Sequence, residues 1–158
     1  MLAHALVLPT EDPDERQRHD AETEAIAMQL ARAYEEAAGA RVHDVSRPDL
    51  ARRAGLNDWP GFDLRSLRPA SAHGPAEERA IEVKGRAGSG AIEVLANEWA
   101  KACNLRDRYW LYVVFDCATS QPRLIKVRDP FGRLLVKAKG SMLISPAEIL
   151  AASTEGVV

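Results

Sequence analysis

The sequence predicts an α/β domain in which a mixed β-sheet is flanked by helices. Three observations predict it. Asp20 to Ala38 carries the helical period, Arg79 to Arg86 alternates like a strand, and Tyr109 to Phe115 is an unbroken apolar run suited to a strand buried on both faces. The 158 residues, 46% of them apolar, suffice for one compact domain with a real core and exclude a wholly disordered chain.

Met1 to Arg18 is a brief apolar run followed by a charged, proline-containing segment and reads as linker. The expected division is residues 1–19 as an N-terminal extension, 20–152 as the domain and 153–158 as a tail. Met1 to Pro9 lacks a basic leading region and is too short and interrupted for a signal peptide or membrane span, so a short strand or tail is expected there. Asp20 to Ala38 sets Ile26, Leu30, Ala33 and Ala37 on one side, with Gly39 where a helix C-terminus needs it. Arg41 to Val45 alternates as a strand and is stopped by Ser46-Arg47-Pro48. An excursion from Asp49 to Pro60 holds one helical turn around Leu50 to Arg53.

Phe62 to Leu67 is the second predicted strand. A turn at Pro69 to Pro75 returns the chain as the third, which should pair antiparallel with the second. Gly85, Gly88 and Gly90 mark a loop, Ile92 to Leu95 a short extended piece, and Ala96 to Leu105 a helix with Trp99, Ala102 and Cys103 inward. Tyr109 to Phe115 and Arg123 to Arg128 are the following strands. Ser145-Pro146-Ala147-Glu148 combines an N-cap, an N1 proline and an N3 glutamate, so a last short helix begins there.

The formal net charge is −2, which does not suggest a nucleic-acid binder globally, but the charge is uneven. Seven acids stand against Arg16 and Arg18 between Glu11 and Glu24, and six bases against Asp129 between Arg123 and Lys139. Cys103 and Cys117 are too few and too far apart for a zinc site, and with no secretion signal a reducing, cytoplasmic setting is expected. The four histidines form no metal pattern, and neither a Ser-His-Asp set nor a glycine-rich phosphate loop is evident.

Chemistry concentrates on the third strand. Its alternation sends Ile81 and Val83 into a core and sets Glu82 and Lys84 together on the opposite face. If Asp63, at the start of the second strand, met Glu82 across the pair, two carboxylates and an amine would converge. Such a set can hold a divalent cation and steer a water. The alternative is a half-buried strand whose Glu82 and Lys84 form a weak surface ion pair. Trp99, Tyr109, Trp110 and Tyr112 offer stacking surfaces, yet their spacing assigns most of them to the core.

Asp63, Glu82 and Lys84, in a helix-strand-strand-strand-helix-strand order, resemble the PD-(D/E)XK nuclease superfamily. Asp44-Val45-Ser46, Gly61-Phe62-Asp63, Ile81 to Arg86, Asn97-Glu98-Trp99 and Tyr109 to Val114 together resemble the domain named after the C-terminus of the plant protein NO VEIN. In prokaryotes that module often ends large superfamily-two helicases, including ones linked with defence against phage. The resemblance spans roughly residues 20 to 150. It implies a restriction-endonuclease-like αβββαβ core with an appended strand and C-terminal helix.

It also implies a metal-dependent endonuclease acting on DNA, with Asp63, Glu82 and Lys84 catalytic. Mg²⁺ or Mn²⁺ would be held by Asp63, Glu82 and the Val83 carbonyl. Many relatives carry a Gly-Glu pair in helix 1 where Ala27-Met28 stands, so an auxiliary helical glutamate would be Glu24 or Glu35. Asn97 and Glu98 open the next helix beside the expected site, where helix-end capping is the other reading. Arg86 and Lys101 are expected phosphate contacts. The partners implied are DNA and a fused or associated helicase, with no membrane. The alternative is a catalytically silent DNA-binding or protein-interaction module on the same fold.

Overall fold

The structure, a computed structural model, describes residues 13–71, 74–134, 137–139 and 141–155. The strand or tail expected at Met1 to Pro9 and the last residues of the expected tail lie outside them. Helix α1 (Pro13–Ala37) starts earlier than Asp20, so residues 13–18, expected as linker, are helical. A proline is tolerated in a first turn, whose N–H groups have no intrahelical partner. Gly39, at φ +79°, turns the chain into strand β1 (Arg41–Asp44). Helix α2 (Pro48–Arg53) and strands β2 (Leu64–Arg68), β3 (Glu77–Gly85) and β4 (Ile92–Val94) follow. Next come helix α3 (Ala96–Leu105), strands β5 (Tyr109–Phe115) and β6 (Arg123–Arg128), and helix α4 (Pro130–Arg133). Strands β7 (Lys137–Lys139) and β8 (Ser141–Ile144) lead to helix α5 (Pro146–Ala151), capped by Ser145 and Glu148 as expected.

The main sheet has the order β1-β2-β3-β5-β6 and is antiparallel except where β3 and β5 run parallel. A parallel pair needs a crossover, and β4 and α3 supply it. The arrangement is a mixed α/β one, with helices against a five-stranded mixed sheet. A second, three-stranded sheet, β4-β8-β7, was not expected. Its strands are short and Ile92 pairs with Ile144, so nothing local announces it.

Both faces of the main sheet are covered. On one, Ala27 and Ala31 of α1 pack against Ile81, Val83, Trp110 and Tyr112. On the other, Leu111, Val113, Phe115, Ile125 and Val127 meet Ile92, Val94, Ile144 and Ile149, while Ala102 of α3 meets Ala80 and Tyr109. This double cover is why β5 is apolar throughout, and all seven of its residues are buried. Of the three α3 residues expected inward, Ala102 is buried and Trp99 packs against the core, but Cys103 is exposed. Among the described residues, no helix is long and apolar enough to cross a membrane.

Candidate active site

Asp63 is the residue before β2 rather than within it. The β2–β3 register pairs Leu64 with Ile81, so one step further Asp63 stands opposite Glu82. Two backbone bonds hold it there: Asp63 N–H donates to the Ile81 carbonyl at 2.9 Å, and Val45 N–H donates to the Asp63 carbonyl at 2.7 Å. Its carboxylate accepts from Val83 N–H at 2.9 Å. Backbone direction alternates along a strand, so the Val83 carbonyl faces this same edge, beyond the end of β2.

Glu82 and Lys84 lie on the α3 face of β3, and that face is covered. Glu82 is only 3% exposed, which rules out the surface ion pair. Lys84 Nζ lies 2.7 Å from Glu82 Oε1 and 2.8 Å from Glu98 Oε2. Glu98 therefore does both things its position allowed. Its Oε2 accepts from Leu95 N–H at 2.8 Å, capping the first turn of α3, and the same carboxylate anchors Lys84.

The electrostatics follow from the enclosure. Burial, opposed by the Val83 N–H and the Lys84 charge, pushes Asp63 up to about 6. Burial and then the Asp63 charge push Glu82 well above the usual carboxylate range. Burial alone would lower Lys84, but the charge and hydrogen bonds of Glu82 and Glu98 outweigh it and keep the ammonium protonated. One ammonium thus stands among the carboxyl groups of Asp63, Glu82 and Glu98, with direct ion pairs to the last two.

The group opens into a cleft of about 430 Å³ lined also by Thr23, Glu24, Gly85 and Arg86. A second cleft of about 200 Å³, lined by Trp59, Pro60, Phe62, Leu95 and Asn97, shares Asp63, Glu82 and Glu98 with the first. The structure thus brings Asp63, Glu82, Val83, Lys84 and Glu98 together, with Glu24, Arg86 and Asn97 on the rims. Lys101 lines neither cleft; its side-chain stem packs beside Gly61 and it faces a neighbouring hollow with Leu56, Phe62, Arg65 and Leu105.

Glu35 is not at this site. It is fully buried in a separate network with Ser66, Arg68, Arg79 and Tyr112, because its place near the end of α1 faces β2 rather than the open end of β3. Asp44 accepts from the N–H and hydroxyl of Ser46 and closes a turn. Tyr109, Trp110 and Tyr112 are core, as their spacing indicated. The sequence reading missed Trp59, which lies in an aperiodic excursion and is 70% exposed beside the carboxylates.

The donors present fit a hard cation. Among the described residues no three His, Cys, Asp or Glu side chains form a ready-made metal shell. Mg²⁺ does not require one, because it is commonly held by one or two carboxylates with water and substrate oxygens completing the shell. Asp63, Glu82 and the Val83 carbonyl would supply that part.

The family model described as Protein NO VEIN, C-terminal, matches residues 23–127. That span contains nearly the whole main sheet, α3 and every residue of the carboxylate–lysine group. Searches of curated proteins and of solved structures return no match. With the family model covering well over half of its length, the chain belongs to the NO VEIN C-terminal family.

Proposed function

We propose that this domain hydrolyses DNA phosphodiester bonds with the help of Mg²⁺ or Mn²⁺, working with a fused or associated superfamily-two helicase in DNA processing or phage defence. One observation carries the reading. Glu82 and Glu98 share the single Lys84 ammonium and Asp63 stands opposite Glu82 at the same open strand end, so three carboxyl groups converge on one protein cation. A scaffold has no physical need for such a cluster, since buried like charges cost free energy unless something neutralises them. With α2 and β4 counted as insertions, the order α1, β1, β2, β3, α3, β5 and the carboxylates at the β2–β3 end support reading the domain as a restriction-endonuclease-like core.

Bound between Asp63, Glu82 and the Val83 carbonyl, the cation would offset charge building on the phosphate and acidify a water. Lys84 stays protonated, so it donates a hydrogen bond to the attacking water or to a phosphate oxygen rather than removing a proton. Glu98 keeps its ammonium in place. Arg86, exposed on the cleft rim, is placed to meet a neighbouring phosphate. Attack forms a new P–O bond and breaks the one to the leaving sugar oxygen.

The test is Mn²⁺ titration calorimetry on wild type and Asp63→Ala, with plasmid nicking on the same samples. Binding and nicking are expected in the wild type, and loss of both in the variant. Lys84→Ala is expected to keep binding and lose nicking. A folded wild type that binds no Mn²⁺ sinks the reading. It would favour a silent interaction module, for which the contact of Lys84 with both Glu82 and Glu98 already speaks: there the ammonium itself serves as the structural cation.

A further inference from the structure

Trp59 is the most exposed of the large apolar side chains among the described residues, at 70%. Its backbone is at φ +54°, a conformation in which a bulky residue is strained. The loop that carries it is nonetheless tied on both sides. Arg52 Nη1 donates to both oxygens of Asp58 at 2.7 Å, and the Tyr109 hydroxyl donates to the Gly61 carbonyl at 2.9 Å. The indole is therefore held out into solvent by its neighbours. It is not a frayed end. With Pro60, Phe62 and Leu95 it makes the apolar wall of the cleft whose other wall is Asp63, Glu82 and Glu98.

We propose that Trp59 is a stacking platform for an unpaired nucleobase next to the phosphodiester, so that the domain takes single-stranded DNA or an unpaired end. The inference rests on the hydrolytic reading of the adjacent carboxylates and names the form of their substrate. An aromatic face binds any base through its π-surface, and only a base out of a duplex stack presents that surface. Asn97, exposed at the same cleft, offers an amide to the base edge. An apolar protein side chain seated on Trp59 would have to lie against the carboxylates with no donor to offer them, whereas a base has ring and amino donors at its edge.

The experiment measures binding without cleavage. The whole chain, free of divalent cations, is titrated with a short oligothymidylate, with the same oligomer made abasic, and with a blunt hairpin duplex. Tryptophan emission and affinity are both followed. Trp110 is buried and Trp99 packs against Phe131, so quenching by a stacked base reports chiefly on Trp59. Oligothymidylate is expected to quench, and Trp59→Ala to abolish the quench and weaken binding by roughly fivefold or more. Trp59→Phe should retain most of the affinity, and the abasic oligomer should behave as the alanine variant does. The exposed position makes both variants compatible with folding, which a thermal melt verifies.

Equal affinity of Trp59→Ala and wild type overturns the platform, as does equal quenching by hairpin or abasic oligomer, or no quenching by millimolar oligothymidylate. Stacking without Mn²⁺-dependent cleavage would uphold the platform and sink the hydrolase. Cleavage of single strands unchanged in Trp59→Ala would sink the platform and leave the hydrolase standing.

Discussion

Asp63 shows how far one residue's environment departs from what its letter conveys. Its place at the start of a strand was legible in Gly61-Phe62-Asp63 to within one residue, since β2 begins at Leu64, but its burial was not, because burial depends on Glu82, Lys84 and Glu98 arriving from elsewhere. A carboxyl raised to about 6 means that the folded protein holds this proton more tightly than the unfolded chain. The associated stability is fully present below about pH 4 and is lost as pH rises through about 6. At pH 7 and without divalent cation, Asp63 is therefore an ionised group that weakens the fold. Asp63→Asn keeps an oxygen to accept from Val83 N–H while removing the charge, so we expect a higher Tm than wild type in chelator at pH 7 and no metal-dependent nicking. Matched thermal melts at pH 5 and pH 7 check the sign: the gain should shrink at the lower pH, where the wild-type carboxyl is largely protonated.

Among the elements, the junction of α1 with the end of β3 sets the shape of the cleft. Gly85 permits it by closeness rather than by an unusual backbone angle. A Cβ there would lie 2.8 Å from the Thr23 carbonyl oxygen and 3.0 Å from the Ala27 Cβ, so either helix or strand must move. Gly85→Ala is expected to destabilise by about 1–3 kcal/mol, the range for inserting a methyl into a filled space. It should also raise amide exchange around Thr23 to Ala27 of α1 and weaken Mn²⁺ binding by shifting Val83. A urea melt and exchange mass spectrometry read these effects, and exchange unchanged in α1 would contradict the close packing. The glycine was read from sequence as the start of a loop, since a contact between residues 23 and 85 leaves no trace in the spacing around either. The elements themselves were legible where a period ran long enough. Helix α3 and strands β5 and β6 have the expected bounds, while the strands of the smaller sheet are too short to announce themselves.

For the molecule as a whole, the two faces of the main sheet carry different polar devices. The α3 face holds the carboxylate–lysine group, and the α1 face holds Glu35 with Arg68, Arg79 and Tyr112. Burial would raise Glu35, but hydrogen bonds from Arg68, then Ser66 and Tyr112, outweigh it and hold the carboxyl below the usual range. Its contribution to stability is therefore present above an ordinary glutamate's titration and lost as pH falls below it. Glu35→Gln, which leaves the largely buried Arg68 guanidinium without its carboxylate while Arg79 keeps Glu77 and Glu155, should cost about 3–5 kcal/mol in a urea melt at pH 7. The penalty should narrow as pH falls below an ordinary glutamate's range to the depressed titration of Glu35, where the wild type loses the same charge. A variant as stable as wild type at pH 7 would show that the network contributes little.

What the sequence determined by itself is what depends on neighbours along the chain. The helical and strand periods, the capping box at Ser145, the apolar run of β5, and the order of motifs that carries the family membership all belong there. Tertiary structure alone decided which of the candidate residues meet. It buried Glu82, set Asp63 opposite it, gave Glu98 to Lys84, drew Glu35 into a different network and stood Trp59 beside the carboxylates. The physical reason is that desolvation and charge coupling act across space between residues brought together by strand register and helix cover, and local spacing records neither.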